Sequence, residues 1–340
     1  MNPAQRRPAL GDVAARAGVS YQTVSRVLNE PEIVRPATRD RVLEAISELG
    51  YTRNRAARAL KTARSSLIGV LTDNLSLFGP AETTTAVETA AREAGYSVVL
   101  TSMTSEPHSA RQGGAELLAS GVEGILVIAA HEGMAPAVSA VAGSAPVVVV
   151  SAQPPREAGV EMVGIDQAHG SQIVVEHLQR TGVRSIAHLA GPTDWFDAQV
   201  RRSGFTAALE HSGLDGEVVG PGDWTPRAGY ELTTALIASG LPDALFAAND
   251  MIAIGALHAL HEHGLRVPED VSVVGFDNTL GAEFLIPSLT TVAQPFAEVG
   301  REALRHLVSL VDGEHPSAQA PHTLPPRLVV RRSTRPERTH

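Results

Sequence analysis

The sequence predicts an α/β protein that has a small helical head at its N-terminus and two doubly wound lobes behind it. Three observations support this prediction. Residues 12–49 carry three amphipathic helical patterns separated by turn signals. From Ser65 onward, short apolar runs alternate with helical patterns, which is typical of parallel sheets. A length of 340 residues also exceeds what a single hydrophobic core usually organises.

The first element is a helix-turn-helix in residues 12–29. Gly18 supplies the permissive backbone where the first helix ends, and Ser20 suits the N-cap of a second helix that begins at Tyr21. The apolar stripe of the second helix consists of Val24, Val27 and Leu28. Its opposite face carries side chains that suit a reader of the major groove: Tyr21, Gln22, Ser25, Arg26 and Asn29. Taken alone, the segment equally suits an αα-hairpin that serves only for packing.

A third helix is predicted over residues 36–49, with Pro36 at its start and Gly50 at its end. Its expected apolar side consists of Val42, Leu43, Ile46 and Leu49. The next segment, residues 53–64, is basic and rich in alanine, and we predict a hinge helix there. A helix of this length is marginal in isolation, so we expect DNA and a partner chain to hold it.

Charge separates the head and hinge from the rest of the chain. Residues 1–64 hold twelve basic and six acidic side chains, a net charge of +6, whereas the whole chain carries −9. A basic N-terminal part suits neutralisation of a phosphate backbone, and we expect binding to nucleic acid to weaken steeply with salt.

The sequence excludes several classes of function. The absence of Cys excludes disulfides and thiolate sites. No run of about 18 apolar residues and no secretory signal is present, so we expect a cytoplasmic protein that does not bind membranes. The phosphate-loop, dinucleotide, nucleophile-elbow and zinc-protease motifs are missing, so we expect no enzyme, catalytic residue, cofactor or metal. His258, His261 and His263 suit the end of a helix better than a metal site.

The βα rhythm defines two lobes. The first contains predicted strands at 67–71, 97–101, 125–128 and 147–150, with helices at 82–94 and 111–119. The second contains strands at 185–189, 218–220, 244–247 and 271–275, with helices at 167–180, 199–212, 228–239 and 251–263, and a last strand is predicted at 327–330. Two such Rossmann-like lobes around a cleft form the periplasmic-binding-protein architecture, whose ligands lie at the carboxyl ends of the strands.

Side chains suited to a polyhydroxylated ligand follow these strands. The polar candidates are Asp73, Arg201, Asn249, Asp250 and Asp277, because carboxylates and amides bond neighbouring hydroxyls. The aromatic candidates for stacking are Trp195, Trp224 and Phe296. Structural alternatives exist for several of these groups: Asp250 as the N-cap of the next helix, Asp277-Asn278 as a turn, and Arg201 paired with Glu210 or with another carboxylate on a helix surface. The tryptophans also suit half-buried loop anchors.

The run Val19 to Val27, VSYQTVSRV, and the hinge pattern Asn54-Arg55-x-Ala57-x-x-Leu60 resemble the LacI/GalR family of bacterial transcription regulators. The resemblance extends to about residue 332, through stretches such as GDWTPRAGY and AANDMIAIGAL. It implies base contacts from Tyr21, Gln22 and Arg26 and phosphate contacts among Ser20, Thr23, Ser25 and Asn29. In the hinge it implies DNA contacts from Asn54, Ala57, Leu60 and Lys61, with Leu60 wedged into the minor groove. Packing against the core is the alternative for Leu60, and simple solvation for Lys61.

The resemblance also implies an effector site. It assigns contacts to Arg201, Trp224, Asn249, Asp277, Gln294 and Phe296, and an apolar wall to Leu77, Gly79 and Pro80. Asp73, Ile128 and Ser151 depart from the family pattern. The expected domains are 1–52, 53–64 and 65–340, the last divided into lobe 1 (about 65–164 and 294–322) and lobe 2 (about 165–293 and 323–333).

The expected function is that of a repressor of sugar-utilisation genes. A galactoside or other disaccharide is expected to release it from a pseudopalindromic operator. Because the C-terminal tail lacks leucine heptads, we expect a homodimer and not a tetramer. A purine or sugar-phosphate effector, and a sugar-binding protein without a DNA function, remain the alternatives.

Overall fold

A computed structural model describes residues 8–51, 64–103, 107–128, 131–155, 159–314 and 322–338. The chain divides into two compact units, Met1–Ser65 and Ser66–His340. The first unit is called the head below, and the second is called the core.

The head consists of α1 (Leu10–Ala17), α2 (Tyr21–Asn29) and α3 (Pro36–Leu49). As predicted, α1 and α3 end at left-handed glycines, with φ of 64° at Gly18 and 59° at Gly50. The predicted N-cap of α2 is also confirmed, because Ser20 Oγ accepts the backbone N–H of Thr23 at 3.2 Å.

The three helices bury a small apolar cluster. Val13 of α1, Val24 and Val27 of α2, and Val42 of α3 form its centre. The prediction for Leu43 was wrong, because its side chain is 49% exposed. Leu43 lies about 100° around the helix from the buried Val42, which turns its side chain toward solvent. The second buried residue of α3 is Ala45.

The core contains twelve strands in the residues that the structure describes. They are β1 (Leu67–Thr72), β2 (Ser97–Ser102), β3 (Gly124–Ile128), β4 (Val147–Val150), β5 (Glu161–Ile165), β6 (Ser185–Leu189), β7 (Asp215–Val219), β8 (Ala244–Ala247), β9 (Ser272–Asp277), β10 (Thr290–Ala293), β11 (His322–Leu324) and β12 (Arg327–Val329). The α-helices described beside them are α4 (Phe78–Glu93), α5 (Pro107–Ala119), α6 (Ala135–Val141), α7 (Gln167–Thr181), α8 (Phe196–Ser212), α9 (Pro226–Ser239), α10 (Asp250–Glu262) and α11 (Phe296–Val311).

The strands form two six-stranded sheets, one in each lobe. The lobe 1 sheet has the order β2-β1-β3-β4-β5-β11 and is parallel throughout. The lobe 2 sheet has the order β7-β6-β8-β9-β10-β12, and β12 is its antiparallel edge. Both sheets are therefore doubly wound, as predicted, and their strands end at the cleft between the lobes.

Each sheet is covered on both faces, which explains the nearly continuous apolar strands. In lobe 1, Val70 faces a cluster that includes residues of α4 and α11, whereas Leu71 faces the cluster of α5 and α6. In lobe 2, Leu245 packs with α9 and α10, and Phe246 packs with α7 and α8. Successive residues of one strand thus contribute to different clusters.

Two central strands were not predicted. The strand β10 reads Thr-Thr-Val-Ala, and β5 contains Glu161 and Gly164, so neither shows a strong apolar run. In the folded core Thr290 and Thr291 are fully buried, and β10 pairs with β9 along its whole length. Pairing within the sheet outweighs the weak local pattern.

Candidate functional site

The head presents an exposed polar face on α2. Tyr21 is 61% exposed, and Gln22, Arg26 and Asn29 are also exposed, while Val24 and Val27 are buried behind them. Asn29 Nδ2 donates to the backbone oxygen of Ser25 at 2.7 Å.

The sequence-predicted contact residues of this helix therefore lie together on its exposed side. Ser20 and Thr23 lie at the N-terminal end of α2, where backbone N–H groups favour phosphate. The remaining predicted DNA contacts, Asn54, Ala57, Leu60 and Lys61, lie outside the described residues.

The core encloses a cleft cavity of about 470 Å³ between its two lobes. Lobe 1 contributes the start of α4, including Leu77, Gly79 and Pro80. Lobe 2 and the segment after β10 contribute Trp195, Arg201, Trp224, Asn249, Asp277 and Gln294. These nine residues are all sequence-predicted, and the structure brings them around one space. Its volume is in the range of small-molecule sites.

Two predicted residues lie elsewhere. Phe296 lines a smaller inner cavity of about 60 Å³, together with Ile128 and Ser151, which depart from the family pattern. Asp73 lines neither cavity, and its Oδ2 atom lies 2.6 Å from Nε2 of His131.

His131 has one ring nitrogen for each of two partners. Its Nδ1 accepts the N–H of Gly133 at 3.0 Å, so Nε2 carries the proton and donates to Asp73. The imidazole also lies against Trp195, with ring centroids 5.5 Å apart. Asp73 therefore supports a wall of the cleft cavity from behind.

The two tryptophans meet edge to face. The ring centroids of Trp195 and Trp224 are 5.5 Å apart with an interplanar angle of 78°. Both side chains are half-buried, and both line the cleft cavity. The indole Nε1 of Trp224 is buried and has no hydrogen-bond partner within the described parts of the chain, which leaves a donor for a ligand.

Arg201 is the buried cation of the site, with only 3% of its side chain exposed. Its Nη2 lies 3.6 Å from Asp197 and 3.8 Å from Asp277, and its Nη1 donates to the backbone oxygen of Ala248 at 2.5 Å. The guanidinium also lies 3.9 Å from the centroid of the Phe276 ring. Of the alternative partners, Glu210 was wrong, whereas another carboxylate of the same helix, Asp197, does lie beside Arg201.

Asp277 is the buried anion opposite Arg201. Its φ of 111° is unusual for a residue other than glycine and strains the backbone at the end of β9. Gln294 Nε2 donates to Asp277 Oδ1 at 2.6 Å. Burial raises the pKa of Asp277 to about 7, and the charges of Asp250 and Asp197 act in the same direction, whereas Arg201 and Gln294 lower it.

The neighbouring pair Asn249-Asp250 has divided roles. Asn249 Oδ1 accepts the N–H of Ile252 at 2.8 Å, so Asn249 caps α10, and the prediction of Asp250 as the cap was wrong. Asp250 instead accepts the Thr279 N–H at 2.7 Å and the Thr291 hydroxyl at 2.6 Å. Burial raises the pKa of Asp250, and its hydrogen bonds hold the turn after Asp277 in place.

Sequence reasoning missed some residues of the cleft cavity. Asp197 is one, although its position four residues before Arg201 on the same helix was a usable signal. The apolar residues Met251 and Ile254 on α10 also escaped, because nothing local distinguishes them from core residues. A larger groove of about 770 Å³ lies between α7 and α8, but it contains no Trp, Tyr or Phe and none of the predicted site residues.

The head and the core each match a known protein family. Residues 9–54 match the model of bacterial regulatory proteins of the lacI family, and residues 175–334 match a periplasmic binding protein-like domain. The lactose operon repressor of Escherichia coli (strain K12) is 36% identical over 330 residues, which cover 96% of this chain and 90% of the repressor. In the part of the chain that the structure describes, no helix has both the length and the apolar character needed to cross a membrane.

Solved structures give the same result. The lac repressor dimer bound to operator and the anti-inducer ONPF superposes with a TM-score of 0.84 at 34% identity, covering 97% of this chain and 99% of that one. A complex of the transcriptional regulator CelR with cellobiose gives a TM-score of 0.71 at 33% identity, covering 96% and 100%. This chain therefore belongs to the lacI family of bacterial regulatory proteins and is a DNA-binding transcriptional regulator.

Proposed function

We propose that this chain is a homodimeric repressor of sugar-utilisation genes, and that a disaccharide bound in the cleft cavity releases it from a pseudopalindromic operator. The observation that carries the proposal is the composition of the cavity. Two tryptophans lie beside a buried arginine, two aspartates and an asparagine in a space of about 470 Å³. Aromatic faces suit the apolar faces of pyranose rings, and the polar groups suit their hydroxyls.

The acidic groups of the cavity favour a neutral ligand. Asp197 and Asp277 flank the single cation Arg201 within the described lining. A sugar phosphate brings negative charge against these carboxylates, whereas a disaccharide does not. The complex of the similar regulator CelR with cellobiose supports a β-linked disaccharide as the first ligand to test.

Binding to operator DNA is supported by the exposed face of α2. Tyr21, Gln22 and Arg26 project from the first two turns of a helix whose opposite side is fixed in the head core. Amide and guanidinium groups are the side chains that recognise adenine and guanine edges in the major groove. We extend the proposal to Asn54, Ala57, Leu60 and Lys61 on the sequence pattern of the hinge.

An apolar patch supports the homodimer. Leu280, Phe284 and Ile286, which follow β9 in lobe 2, are 86%, 77% and 96% exposed. Exposed large apolar side chains that lie so close along the chain suit an interaction surface, and a twofold dimer covers the same segment on both copies. The solved lac repressor structure is described as a dimer, which agrees with this proposal.

The proposed function is tested by a gel shift at fixed salt concentration. The DNA is a pseudopalindromic duplex that the full chain selects from a randomised library, and the panel contains cellobiose, lactose, monosaccharides and purines. Release of the duplex by a disaccharide supports the proposal. Tightening by a purine, with no effect of any sugar, would replace it with a purine co-repressor. Failure to select any duplex would overturn the DNA-binding part.

A further inference from the structure

A chain of hydrogen bonds joins the two opposite charges of the cleft cavity through two amides. Arg201 Nε donates to Gln167 Oε1 at 2.9 Å. Gln167 Nε2 donates to Gln294 Oε1 at 2.8 Å, and Gln294 Nε2 donates to Asp277 Oδ1 at 2.6 Å. We call these four side chains the amide relay. Gln167 is only 2% exposed and belongs to none of the motifs that the sequence suggested.

The charged ends fix the direction of the amide relay. A guanidinium only donates hydrogen bonds, so it requires the oxygen of Gln167 to face it. The Gln167 nitrogen must then face Gln294, whose own nitrogen faces the carboxylate of Asp277. Reversal of either amide places two oxygens or two N–H groups together in a buried site, which is costly. The orientation of each amide therefore depends on the hydrogen bonds made at both charged ends of the relay.

Both amides lie where the chain passes between the lobes. In the described part of the chain, three segments cross: from β5 to α7, from β10 to α11, and from β11 to β12. Gln167 is the first residue of α7, directly after the first crossing segment. Gln294 directly follows β10, in the second crossing segment. The Gln167–Gln294 hydrogen bond therefore ties two of the three connections together.

From this arrangement we infer that Gln167 is a positioning residue that couples ligand binding to the relative position of the lobes. The inference rests on the proposed function. A sugar hydroxyl that bonds Asp277 or Arg201 competes with the relay for the same atoms, and the change passes through Gln167 and Gln294 to the two crossing segments. A ligand shifts an equilibrium between conformations only through such differential contacts. Gln167 does not line the cleft cavity but lines the smaller inner cavity beside Phe296, so the test also measures the sugar affinity of the free protein.

The test measures the coupling between sugar and DNA in the full chain. Cellobiose affinity is measured by tryptophan fluorescence with the free protein and with the protein saturated by the selected duplex, and lactose replaces cellobiose if the wild type does not respond to it. The ratio of the two affinities is the coupling factor, typically between about 5 and 150. In Gln167→Met, which keeps the length of the side chain but removes the amide, we expect this factor to fall toward 1. The affinity of the free protein should change no more than about threefold.

A second variant keeps the inference testable if Gln167→Met does not fold. Gln167→Glu keeps an acceptor for Arg201 but removes the donor to Gln294, and it should lower the coupling factor as well. Gln179→Met is the matched control, because Gln179 Nε2 on the same helix donates to the backbone oxygen of Ser212 at 2.7 Å, within lobe 2 and outside the relay. The control should keep the wild-type coupling factor.

The outcomes separate the two proposals. Equal coupling in the wild type and in folded Gln167 variants overturns the role of Gln167 and leaves the proposed function intact. Equal loss in Gln179→Met also overturns it, because the loss is then not specific to the amide relay. A wild type that responds to neither sugar, or selects no duplex, overturns the proposed function itself.

Discussion

The Nη2 atom of Arg201 lies 3.8 Å from Oδ1 of Asp277, and both side chains are at least nine-tenths buried. The distance exceeds that of a strong ion pair, and Gln294 holds the near oxygen of Asp277 at 2.6 Å. Arg201 divides its donors among Asp197, Gln167 and the backbone of Ala248. The charge of Asp277 is therefore only partly compensated, and its carboxyl group, which lines the cleft cavity, can accept hydrogen bonds from a ligand.

The raised pKa of Asp277 predicts a specific pH dependence of stability. The pKa is about 7 in the folded protein, and about 4 for an aspartate in an unfolded chain. Between these values the folded state holds a proton that the unfolded state lacks, so stability falls as pH rises toward 7. In Asp277→Asn this loss should disappear, because the amide oxygen still accepts from Gln294 and carries no charge.

Urea unfolding of the full chain, monitored by tryptophan fluorescence, tests this prediction. Between about pH 5 and about pH 7, the free energy of unfolding of the wild type should fall by about 2–3 kcal/mol relative to Asp277→Asn. Parallel pH profiles of the two proteins would contradict the raised pKa. The charges of Asp250 and Asp197 also act on Asp277, and both remain in the variant, so the difference between the two profiles reports the Asp277 carboxyl group.

Part of this site was predictable from sequence, and the reason is geometric. Strand ends of a doubly wound sheet converge on one edge, so Asn249 and Asp277 were expected near each other before their contacts were known. The partners of Arg201 were not predictable, because Gln167 and Ala248 lie 34 and 47 residues from it along the chain. Asp73 illustrates the limit, since its position after β1 predicted a ligand contact, whereas its carboxylate pairs with His131.

The fold was likewise predictable from sequence only in part. Periodicity and glycine positions predicted the three head helices and most core strands, because these signals are local. The exposure of Leu43 and the burial of Thr290 and Thr291 depend on which neighbours pack against them. Such packing is decided by distant parts of the chain, and no local pattern contains it.

The two tryptophans predict a direct fluorescence assay for the ligand. The chain contains two Trp, and both line the cleft cavity. Binding of a disaccharide should therefore change the tryptophan emission without any label. Trp224→Leu should weaken the sugar affinity by about tenfold, equivalent to about 1.4 kcal/mol of lost contact. Trp224→Phe, which keeps an aromatic face, is the matched control and should retain most of the affinity. An emission spectrum that a releasing sugar leaves unchanged would place the ligand outside this cavity.

A charged substitution in the apolar patch should weaken dimerisation and DNA binding without weakening sugar binding. In a twofold dimer, Phe284→Glu places a carboxylate against the apolar surface of each partner, so the dimer dissociation constant should rise on the order of 100-fold. Analytical ultracentrifugation measures the constant. DNA affinity should fall with it, because two heads then no longer bind together, whereas sugar binding should persist. Val330→Glu, at another exposed apolar residue of lobe 2, should leave the dimer intact. A dimeric Phe284→Glu protein would show that the interface lies elsewhere.

Substitution of Gln22 on α2 should lower sequence specificity without lowering the general affinity for DNA. Its amide is exposed on the first turn of the helix and is neutral, so it recognises a base edge without releasing counterions. Gln22→Ala should weaken binding to the selected duplex by about 5- to 150-fold, which corresponds to the 1–3 kcal/mol typical of such a contact. Binding to random-sequence DNA, and the slope of log affinity against log salt, should remain those of the wild type. Gln172→Ala, which removes an exposed amide from α7, is the control. If Gln22→Ala lowers the affinity for both duplexes equally, Gln22 does not read sequence, and the recognition assigned to the exposed face of α2 must come from its other side chains.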